Sequence, residues 1–385
     1  MTTDPFKGAR TPEVTIVVAG VEYLAKEYSL DDDVLQLGDP FACTIANIDG
    51  ENTGKIHLGD PLEVYMADPA VRGGAKLRQM KGRVIGLETS SDISGGSTIT
   101  VKGADLGWHL THTAGEPWMN LRGIRFSRLL EAVLDPAWGI AGVRAENDTN
   151  RRLRLGRAGV QQAYKPQLGA VLPRIQIEPG EMIADLLLLY AKRERVLVNV
   201  SSDGYLQFWN PRYDTDAACS IRYHRSTEKE RDRNNVLGRP RLSESIDGLY
   251  TDVGCVWTSV IPPEVRNSEN PNEGFHIVWY RAPGALPFPR RLVFSDGEAM
   301  STQMAEDRAR WKYERGLFDS WQYEVTLVGH SQGGAFFAAD TMAEVDDTVN
   351  GVRGKFYVSA VTRSRTLRDG TTTRLVLRKS GLLRA

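Results

Sequence analysis

Two stretches that lie far apart in the 385-residue chain have the same order of parts, and this internal repeat restricts the possible folds more than any other feature. In each, a short apolar strand is followed by a loop, a glycine that opens a second strand, a glycine-containing turn and a third strand. The stretches span residues 62–103 and 343–378. From Gly82 to the third strand there are 16 residues, and from Gly354 there are 19. The repeat predicts two similar β domains, although short hairpins also resemble one another by chance.

The first third of the chain has the residue pattern of β-strands. Val14–Val18 and Phe41–Ile45 are short runs of β-branched and apolar residues, and Leu62–Met66 alternates between apolar and polar side chains. Between two further strand-like runs, Gly95 and Gly96 supply the positive φ that a tight hairpin needs. No segment of this part has a long helical period. We therefore expect a small antiparallel barrel or sandwich here.

The middle of the chain contains helical spacing as well. One predicted helix, which Pro136 ends, has its apolar residues on a single face: Phe126, Leu129, Leu130, Val133 and Leu134. A second predicted helix follows Gly180, and apolar residues recur at helical spacing from Ile183 to Ala191. Two strand-like runs then flank Asp203 and Gly204, which is a hairpin signal. This part is expected to be α+β.

The remaining chain is mainly strand-like, interrupted by a charged helix predicted over Glu298–Arg315. The predicted fold class is therefore α+β and mainly β, with two similar antiparallel β-barrel domains and an intervening α+β domain. The expected boundaries are 1–107 for the first barrel, 108–235 for the α+β domain, and 236–265 with 319–385 for the second barrel.

Composition excludes several classes of protein. Lys+Arg 48 against Asp+Glu 49 gives a net charge of -1, so no direct nucleic-acid recognition is expected. The longest apolar run, Met182–Ala191, is about half of a membrane span, and no membrane insertion is expected. The N-terminal residues Met1–Arg10 do not resemble a signal peptide. The cysteines are odd in number and far apart, which is typical of buried, reduced thiols in a protein made inside the cell: Cys43, Cys219 and Cys255.

One local motif points to catalysis. A strand-like run followed by Gly329-His330-Ser331-Gln332-Gly333 matches the G-x-S-x-G nucleophile elbow of α/β-hydrolases. Taken alone, the motif would make Ser331 the nucleophile of a lipase or esterase.

Three observations oppose a hydrolase. The catalytic histidine of that fold follows the serine in the chain, and no histidine follows Ser331. Only 54 residues remain after Ser331, too few for the rest of such a sheet. The next segment could hold only about two helical turns. We predict a glycine-rich β-turn between two barrel strands, with no catalytic residue. A hydrolase would need a base from an unusual direction, such as His224 or His276.

Other candidate sites are weaker. His109 and His112 could lie together on a helix, but no acidic or cysteine cluster completes a metal set, so surface or loop histidines are expected. Nucleotide-binding glycine motifs are absent, so no cofactor is expected. A basic cluster is either a solvated face or a contact for an acidic partner: Arg151, Arg152, Arg154 and Arg157. Two acidic runs are expected in turns and do not form a recognisable glycosidase pair: Asp31, Asp32, Asp33, Asp346 and Asp347.

The order of these segments along nearly the whole chain resembles the late control protein D family of phage tail proteins. That family includes the baseplate hub of phage Mu and, more distantly, the hubs of T-even phages and of type VI secretion spikes. Leu58–Val64 resembles the strand entry of the first barrel, and Lys81–Leu106 contains a hairpin like the one that closes it. Glu178–Glu181 and Val196–Phe208 resemble the middle domain, and 342–377 resembles the second barrel.

The resemblance implies a function as well as a fold. It implies a non-enzymatic homotrimer, a ring of quasi-six-fold symmetry that links the hexameric tail tube to the trimeric central spike of a contractile tail. Implied partners are the tail tube or tube-initiator protein, the central spike protein and other baseplate proteins. The location would be the virion tail baseplate, after synthesis in the host bacterial cytoplasm.

By analogy with the family, residues 266–318 would fold back on the middle domain. The G-x-S-x-G turn and the length of Pro262–Arg291 depart from the family pattern. The G-x-S-x-G turn leaves open an enzymatic activity added to the hub fold. The length of Pro262–Arg291 leaves the domain boundaries open. The hub of a type VI secretion or tailocin-like injection machine is the alternative that the sequence does not separate from a phage hub.

Overall fold

The computed structural model describes residues 12–47, 50–92, 96–116, 120–146, 171–193, 196–225, 233–258, 274–281, 286–296, 299 and 301–383, and all statements below concern these residues. The chain divides into two compact units. The first unit comprises Met1–Arg241 with Glu324–Leu377, and the second comprises Leu242–Tyr323 with Arg378–Arg384.

Six antiparallel strands close a barrel at the start of the first unit. They are β1 (Glu13–Val18), β2 (Val21–Asp33), β3 (Pro40–Ala46), β4 (Pro61–Ala67), β5 (Leu77–Asp92) and β6 (Gly96–Asp105). β1 pairs with both β2 and β4, so the order β1-β4-β5-β6-β3-β2 returns to β1. β1 and β2 are joined by Ala19 and Gly20, whose φ values of 49° and 86° suit a two-residue hairpin turn.

The first barrel is held together by its apolar interior. β3 and β4 each alternate between buried and partly exposed side chains, as a strand with one face on a core does. Side chains from all six strands meet inside, and the largest fully buried ones include Ile16, Phe41, Ile45, Leu62 and Met66. Burying each such side chain stabilises the fold by about 1.5–3 kcal/mol.

The next part of the first unit is α+β. Its elements are α1 (Gly107–His112), β7 (Asn120–Arg125), α2 (Phe126–Val133), β8 (Gly142–Glu146), β9 (Val171–Gln176), α3 (Ile183–Arg193), β10 (Leu197–Val200) and β11 (Tyr205–Trp209). β7 pairs with β9, and β10-β11-β8 form a small sheet. The two predicted helices are present, because the apolar faces of α2 and α3 meet in one core with Leu106 and Phe208.

The elements of the remaining chain are β12 (Ala217–Tyr223), β13 (Val236–Glu244), β14 (Asp252–Thr258), β15 (Phe275–Arg281), β16 (Arg291–Ser295), α4 (Thr302–Ser320), β17 (Trp321–Val328), β18 (Ser331–Gln332), β19 (Ala335–Phe336), β20 (Thr341–Asp347), β21 (Val352–Thr366) and β22 (Gly370–Arg378). The predicted helix over Glu298–Arg315 therefore begins and ends later than expected. It begins at Thr302 because the Ser301 side chain accepts a hydrogen bond from Met304 N (3.2 Å) and caps it.

A second six-stranded sheet repeats the strand order of the first barrel. Its order is β12-β20-β21-β22-β17-β13. Numbered by their order along the chain, the strands of both sheets follow the same path, first-fourth-fifth-sixth-third-second. The three strands recognised in the sequence repeat, β4 to β6 and β20 to β22, are the fourth, fifth and sixth in each. The predicted fold class, mainly β with two similar barrel domains and an α+β part between them, is confirmed.

The two sheets differ where their first strands lie. β1 is antiparallel to β4, whereas β12 is parallel to β20. Between β12 and β13 the described residues form no strand ladder. One backbone bond, from Asn235 N to Arg222 O (3.3 Å), and two asparagine side chains link them instead. Asn235, just before β13, donates from Nδ2 to Ser220 O (2.7 Å) and accepts at Oδ1 from Arg222 N (2.9 Å). Asn234 bonds to both backbone groups of His224 in the same way.

The second unit has its own small core. β14 lies between β15 and β16, antiparallel to the first and parallel to the second. α4 packs on one face of this sheet and buries Val253, Cys255 and Ala305. Gly316 of α4 lies against Gly248, where a Cβ on Gly316 would be 2.0 Å from the Gly248 carbonyl oxygen.

Candidate functional site

A continuous strand ladder joins the two barrels. Tyr28–Asp33 of β2 pairs antiparallel with Ala360–Arg365 of β21, over six residue pairs. The first half of each of these strands pairs within its own barrel. Val21–Leu24 pairs with β1, and Val352–Val358 pairs with β20. We call these paired halves, together with the loop Gly329–Asp340 that lies beside them, the interbarrel joint. It is a candidate functional site because it fixes how the two similar barrels of one chain are arranged.

The G-x-S-x-G motif forms part of the interbarrel joint. Ser331 follows β17 and begins the two-residue strand β18, which pairs with β19 in a small hairpin. Its hydroxyl donates to Asp68 Oδ2 at 2.6 Å, and Asp68 lies after β4 in the first barrel. The other oxygen of that carboxylate accepts the Ala70 N–H (2.9 Å). The serine therefore links the two barrels through a carboxylate.

His330 forms the buried centre of the same loop. Thr373 Oγ1 donates to Gly329 O (2.6 Å), so its single proton is used and it accepts from His330 Nδ1 at 2.8 Å. His330 Nε2 then accepts from the Tyr28 hydroxyl of β2, also at 2.8 Å. Burial, and secondly the nearby Arg363 cation, lower the pKa of His330 to about 3. The imidazole is neutral at ordinary pH and orders the loop.

This geometry does not support a serine hydrolase. A nucleophile elbow needs a helix after the serine and a histidine that accepts its proton, whereas Ser331 is followed by a hairpin and bonds to Asp68. His224 is buried, bonds to Asn234 and lies 3.5 Å from Asp346 Oδ2. His276 belongs to the second unit, where it stacks on Trp257 with ring centroids 4.6 Å apart. The motif lies between β17 and β20, two strands of the second barrel, as a glycine-rich connection of the predicted kind.

Charged groups of opposite sign face one another across the interbarrel joint. Arg363 of β21 is 3% exposed, donates to the Phe337 carbonyl and lies 3.7 Å from Asp32 Oδ2 of β2. Asp32 also accepts from Ala339 N (3.4 Å), and Glu27 Oε1 accepts from Leu367 N (2.8 Å). The acidic run Asp31–Asp33 therefore lies in a strand, and its expected placement in a turn is wrong. The run tolerates a strand because the Arg363 side chain of the neighbouring barrel lies beside Asp32.

The second acidic run was also expected in a turn and lies at the end of strand β20. Asp346 pairs with Arg353 Nε at 3.1 Å across the β20–β21 hairpin. Asp347 is fully buried and accepts from Val349 N and Asn350 N, both at 2.8 Å. The two carboxylates thus fix the turn that follows the strand rather than forming part of it.

A polar cavity of about 460 Å³ opens beside the interbarrel joint within the first unit. It is lined by residues of both barrels and of the α+β part, among them Asp32, Asp39, Asp105, Arg144 and Arg363. Asp39 and Asp105 are 6% and 5% exposed. Burial raises the pKa of Asp105 to about 7, and burial together with the neighbouring Asp105 raises that of Asp39. One end of the first barrel thus holds two carboxyl groups that resist ionisation.

The histidines and cysteines that the sequence offered as other candidate sites pack within the fold. His109 and His112 lie on α1, where they stack on Trp138 (5.7 Å between centroids) and Trp108 (4.5 Å). Within the described residues no group of three or more His, Cys, Asp or Glu is arranged to hold a metal ion. The three cysteines are buried and form no disulfide, and burial raises their pKa values: Cys43, Cys219 and Cys255. The basic cluster Arg151–Arg157 lies outside the described residues. No described helix has the length and apolar character needed to span a membrane.

Sequence comparisons find no matching family model and no matching curated protein. Solved structures do match over almost the entire chain. A tail protein from Neisseria meningitidis MC58 is 18% identical, with 97% of this chain and 98% of that chain covered and a TM-score of 0.73. The 43 kDa tail protein of prophage MuSo2 from Shewanella oneidensis is 19% identical, with 96% and 98% covered and a TM-score of 0.71.

More distant matches extend to secretion machines. An E. coli component of the type VI secretion system, described as structurally similar to the T4 tail proteins gp27 and gp5, is 10% identical. The match covers 95% of this chain and 77% of that chain, with a TM-score of 0.55. The protein therefore has the fold of phage tail proteins and of this secretion component. This agrees with the resemblance to the baseplate hub family read from the sequence.

Proposed function

We propose that the protein is the structural hub of a contractile phage tail baseplate. In this proposal three copies form a closed ring that links the hexameric tail tube or its initiator protein to the trimeric central spike. Other baseplate proteins bind around the ring, the chain performs no catalysis, and its location is the tail of the virion.

The shared strand order of the two barrels is the observation that carries the proposal. A chain with two barrels of the same strand order, joined by six strand pairs, supplies two similar faces. Three such chains around a three-fold axis supply six. Such a ring can contact a six-fold tube with six similar barrels and a three-fold spike with three identical chains. The fold match over nearly the full length of a tail protein and of a prophage tail protein supports the same assignment.

The domain division stays part of the proposal. We propose a first barrel over 1–107, an α+β domain over 108–235 that 266–318 joins in space, and a second barrel from 236–265 and 319–385. Limited proteolysis with mass spectrometry would test these boundaries, because cleavage is expected in exposed connections between domains.

The experiment that tests the ring is the solution mass of the purified chain by light scattering, followed by negative-stain electron microscopy. We expect a mass near three times 42.8 kDa and ring-shaped particles with six lobes. A stable monomer or dimer at the highest soluble concentration would contradict the ring. Tailocin and secretion hubs would give the same mass, so a phage origin is tested by detecting the chain in purified virions.

A further inference from the structure

The small sheet of the second unit has one face that the described residues leave open to solvent. α4 packs on the other face, where Val253 and Cys255 of β14 are buried. Side chains alternate along a strand, so the residues between these two point away from α4. On that side Phe275 and Ile277 of β15 are 55% and 47% exposed, and Val293 of β16 is 51% exposed. A contiguous exposed apolar patch is typical of an interaction site.

The strand register makes this patch contiguous. Trp279 and Val293 both pair with Gly254 of the central strand, and Ile277 pairs with Val256. A Cβ on Gly254 would lie 3.0 Å from Trp279 Cζ3, so the glycine leaves room for the indole ring beside it. We call the apolar side chains that point away from α4 the open sheet face: Val256, Phe275, Ile277, Trp279 and Val293.

A row of charged residues borders the open sheet face at one end. Asp252 lies between Arg281 and Arg291 in the strand register. Its carboxylate oxygens are 3.3 Å from Arg281 Nε and 3.7 Å from Arg291 Nε. Both arginines are largely exposed and share this one carboxylate, so the end carries an excess positive charge. At the opposite end the exposed residues Thr258 and Ser295 are uncharged.

The dimensions of the open sheet face suit one helix. β14 is paired on both sides over Asp252–Val256. These residues span about 17 Å, and the two outer strands lie about 10 Å apart. A helix is about 10 Å across and rises 1.5 Å per residue, so about eleven residues, or three turns, would cover the area. α4 already covers the other face of the sheet, with Ala305 and Ala309 fully buried.

A second copy of the chain fits this surface poorly. A stable interface between two proteins buries about 800 Å² on each partner, several times the roughly 200 Å² that these three strands span. Two copies related by a two-fold axis would also place Arg281 and Arg291 against the same arginines or against uncharged side chains. Charge complementarity therefore favours a different partner, one that brings a carboxylate to this end of the sheet.

We propose that the open sheet face binds an amphipathic helix of about three turns from another protein of the baseplate. Apolar residues spaced three and four apart on that helix cover the exposed aromatic and aliphatic side chains. An Asp or Glu at one end of the helix pairs with Arg281 and Arg291. The inference rests on the proposed function, and it assigns to the second unit the binding of a protein from outside the ring.

The test is photocrosslinking in purified tail particles that contain the full-length chain. A benzophenone side chain replaces Val293 in one variant and, in another, Ser295 at the margin of the open sheet face. On irradiation we expect both to crosslink to one segment of a different protein. Mass spectrometry should show that this segment has apolar residues at helical spacing and Asp or Glu at one end. Arg281→Gln with Arg291→Gln should lower the crosslinked fraction about threefold or more.

Glu306 is the control position for the crosslinker, and Lys312→Gln is the control for the charge change. Both residues are exposed on α4, which packs on the other face of the sheet, so neither variant should give or alter the product. Circular dichroism melting checks that each purified variant is folded.

Several outcomes would overturn the inference while leaving the ring intact. They are a crosslink to a second copy, a crosslink to a segment without these features, and no crosslink from either position. Equal crosslinking from Glu306, or no effect of the two arginine changes, would overturn it as well. Purified particles that lack the chain would instead remove the proposed function together with this inference.

Discussion

The first barrel closes through a backbone ladder, whereas the two ends of the second sheet are linked by asparagine side chains and a single backbone bond. In the first, β1 and β2 form a hairpin of four residue pairs around a two-residue turn. In the second, β12 and β13 are separate in the chain, β12 is parallel to its neighbour β20, and Asn234 and Asn235 form the link. The order of the strands and the apolar interior therefore specify a barrel more strongly than strand direction does, because side-chain amides can replace a missing ladder.

The largest expected difference between the barrels lies at a glycine within each fifth strand, Gly82 of β5 and Gly354 of β21. A Cβ on Gly82 would lie 1.8 Å from the Ala104 carbonyl oxygen, whereas a Cβ on Gly354 meets nothing within 4 Å. Gly82→Ala should lower the free energy of unfolding by about 3 kcal/mol or more, because backbone must move. Gly354→Ala should cost only about 1–2 kcal/mol, from its φ of +121°. Urea denaturation measures both, and equal losses would mean that the barrels are packed alike at this point.

The second largest expected effect is on the pH dependence of stability, and it concerns the last residue of the sixth strand in each barrel. β6 ends on Asp105, whose Oδ1 accepts from Gly107 N (2.7 Å), and β22 ends on Arg378, which donates to three backbone carbonyls. The raised pKa of Asp105, about 7, means that the folded chain binds a proton more tightly than the unfolded chain. Its contribution to stability is therefore present below pH 4 and lost as the pH rises through 7.

Asp105→Asn should remove that pH dependence. At pH 8 the variant should be more stable than wild type by roughly 2–4 kcal/mol, and at pH 4 the two should be nearly equal. Thermal unfolding followed from pH 4 to pH 8 provides the measurement. A variant that loses stability in parallel with wild type would show that Asp105 is ionised throughout.

A smaller effect is expected from the asparagine link of the second barrel. Asn235→Ala removes two partly buried hydrogen bonds and should lower the free energy of unfolding by about 1–2 kcal/mol. Hydrogen exchange should speed up in β12 while β1 is unaffected. Asn52→Ala is the control in the first barrel, where its side chain donates to Ala46 O (3.0 Å) without linking two strands. If exchange in β12 did not change, the link would be dispensable.

The smallest effect is expected at the hydrolase-like motif. Ser331→Ala removes one hydrogen bond to Asp68 and should cost less than about 1 kcal/mol, because Asp68 keeps its bond from Ala70 N. A fluorophosphonate probe should label neither the wild type nor the variant. An adduct on Ser331 would revive the serine hydrolase.

The internal repeat located three of the six strands in each barrel, and separate strand-like runs predicted β1 and β3 of the first barrel and β17 of the second. β4 to β6 and β20 to β22 are contiguous and carry matching glycines, so the repeat revealed them. The first three strands of each barrel were not recognised as part of the repeat, because β13 and β17 are separated by the second unit and β12 runs in the opposite sense to β1. The acidic run Asp31–Asp33 hid the end of β2, since its neutralising partner Arg363 is more than 300 residues away.

The candidate site was predictable only in part. The Gly329–Gly333 motif was correctly placed between two strands, because its lack of a following histidine and helix excluded an elbow. Its role in the interbarrel joint was not visible, since Asp68 and Tyr28 come from the other barrel and only the folded chain brings them to Ser331 and His330. Contacts between distant segments leave no periodic trace in a sequence.

The asparagine link also has a mechanical consequence. A force that separates two paired strands must break all the hydrogen bonds between them, and β1 and β2 are joined over four residue pairs. Two neighbouring side-chain amides and one backbone bond offer much less resistance between β12 and β13. We expect the second sheet to open first under a pulling force while the first barrel stays closed, and its link to re-form when the force is removed.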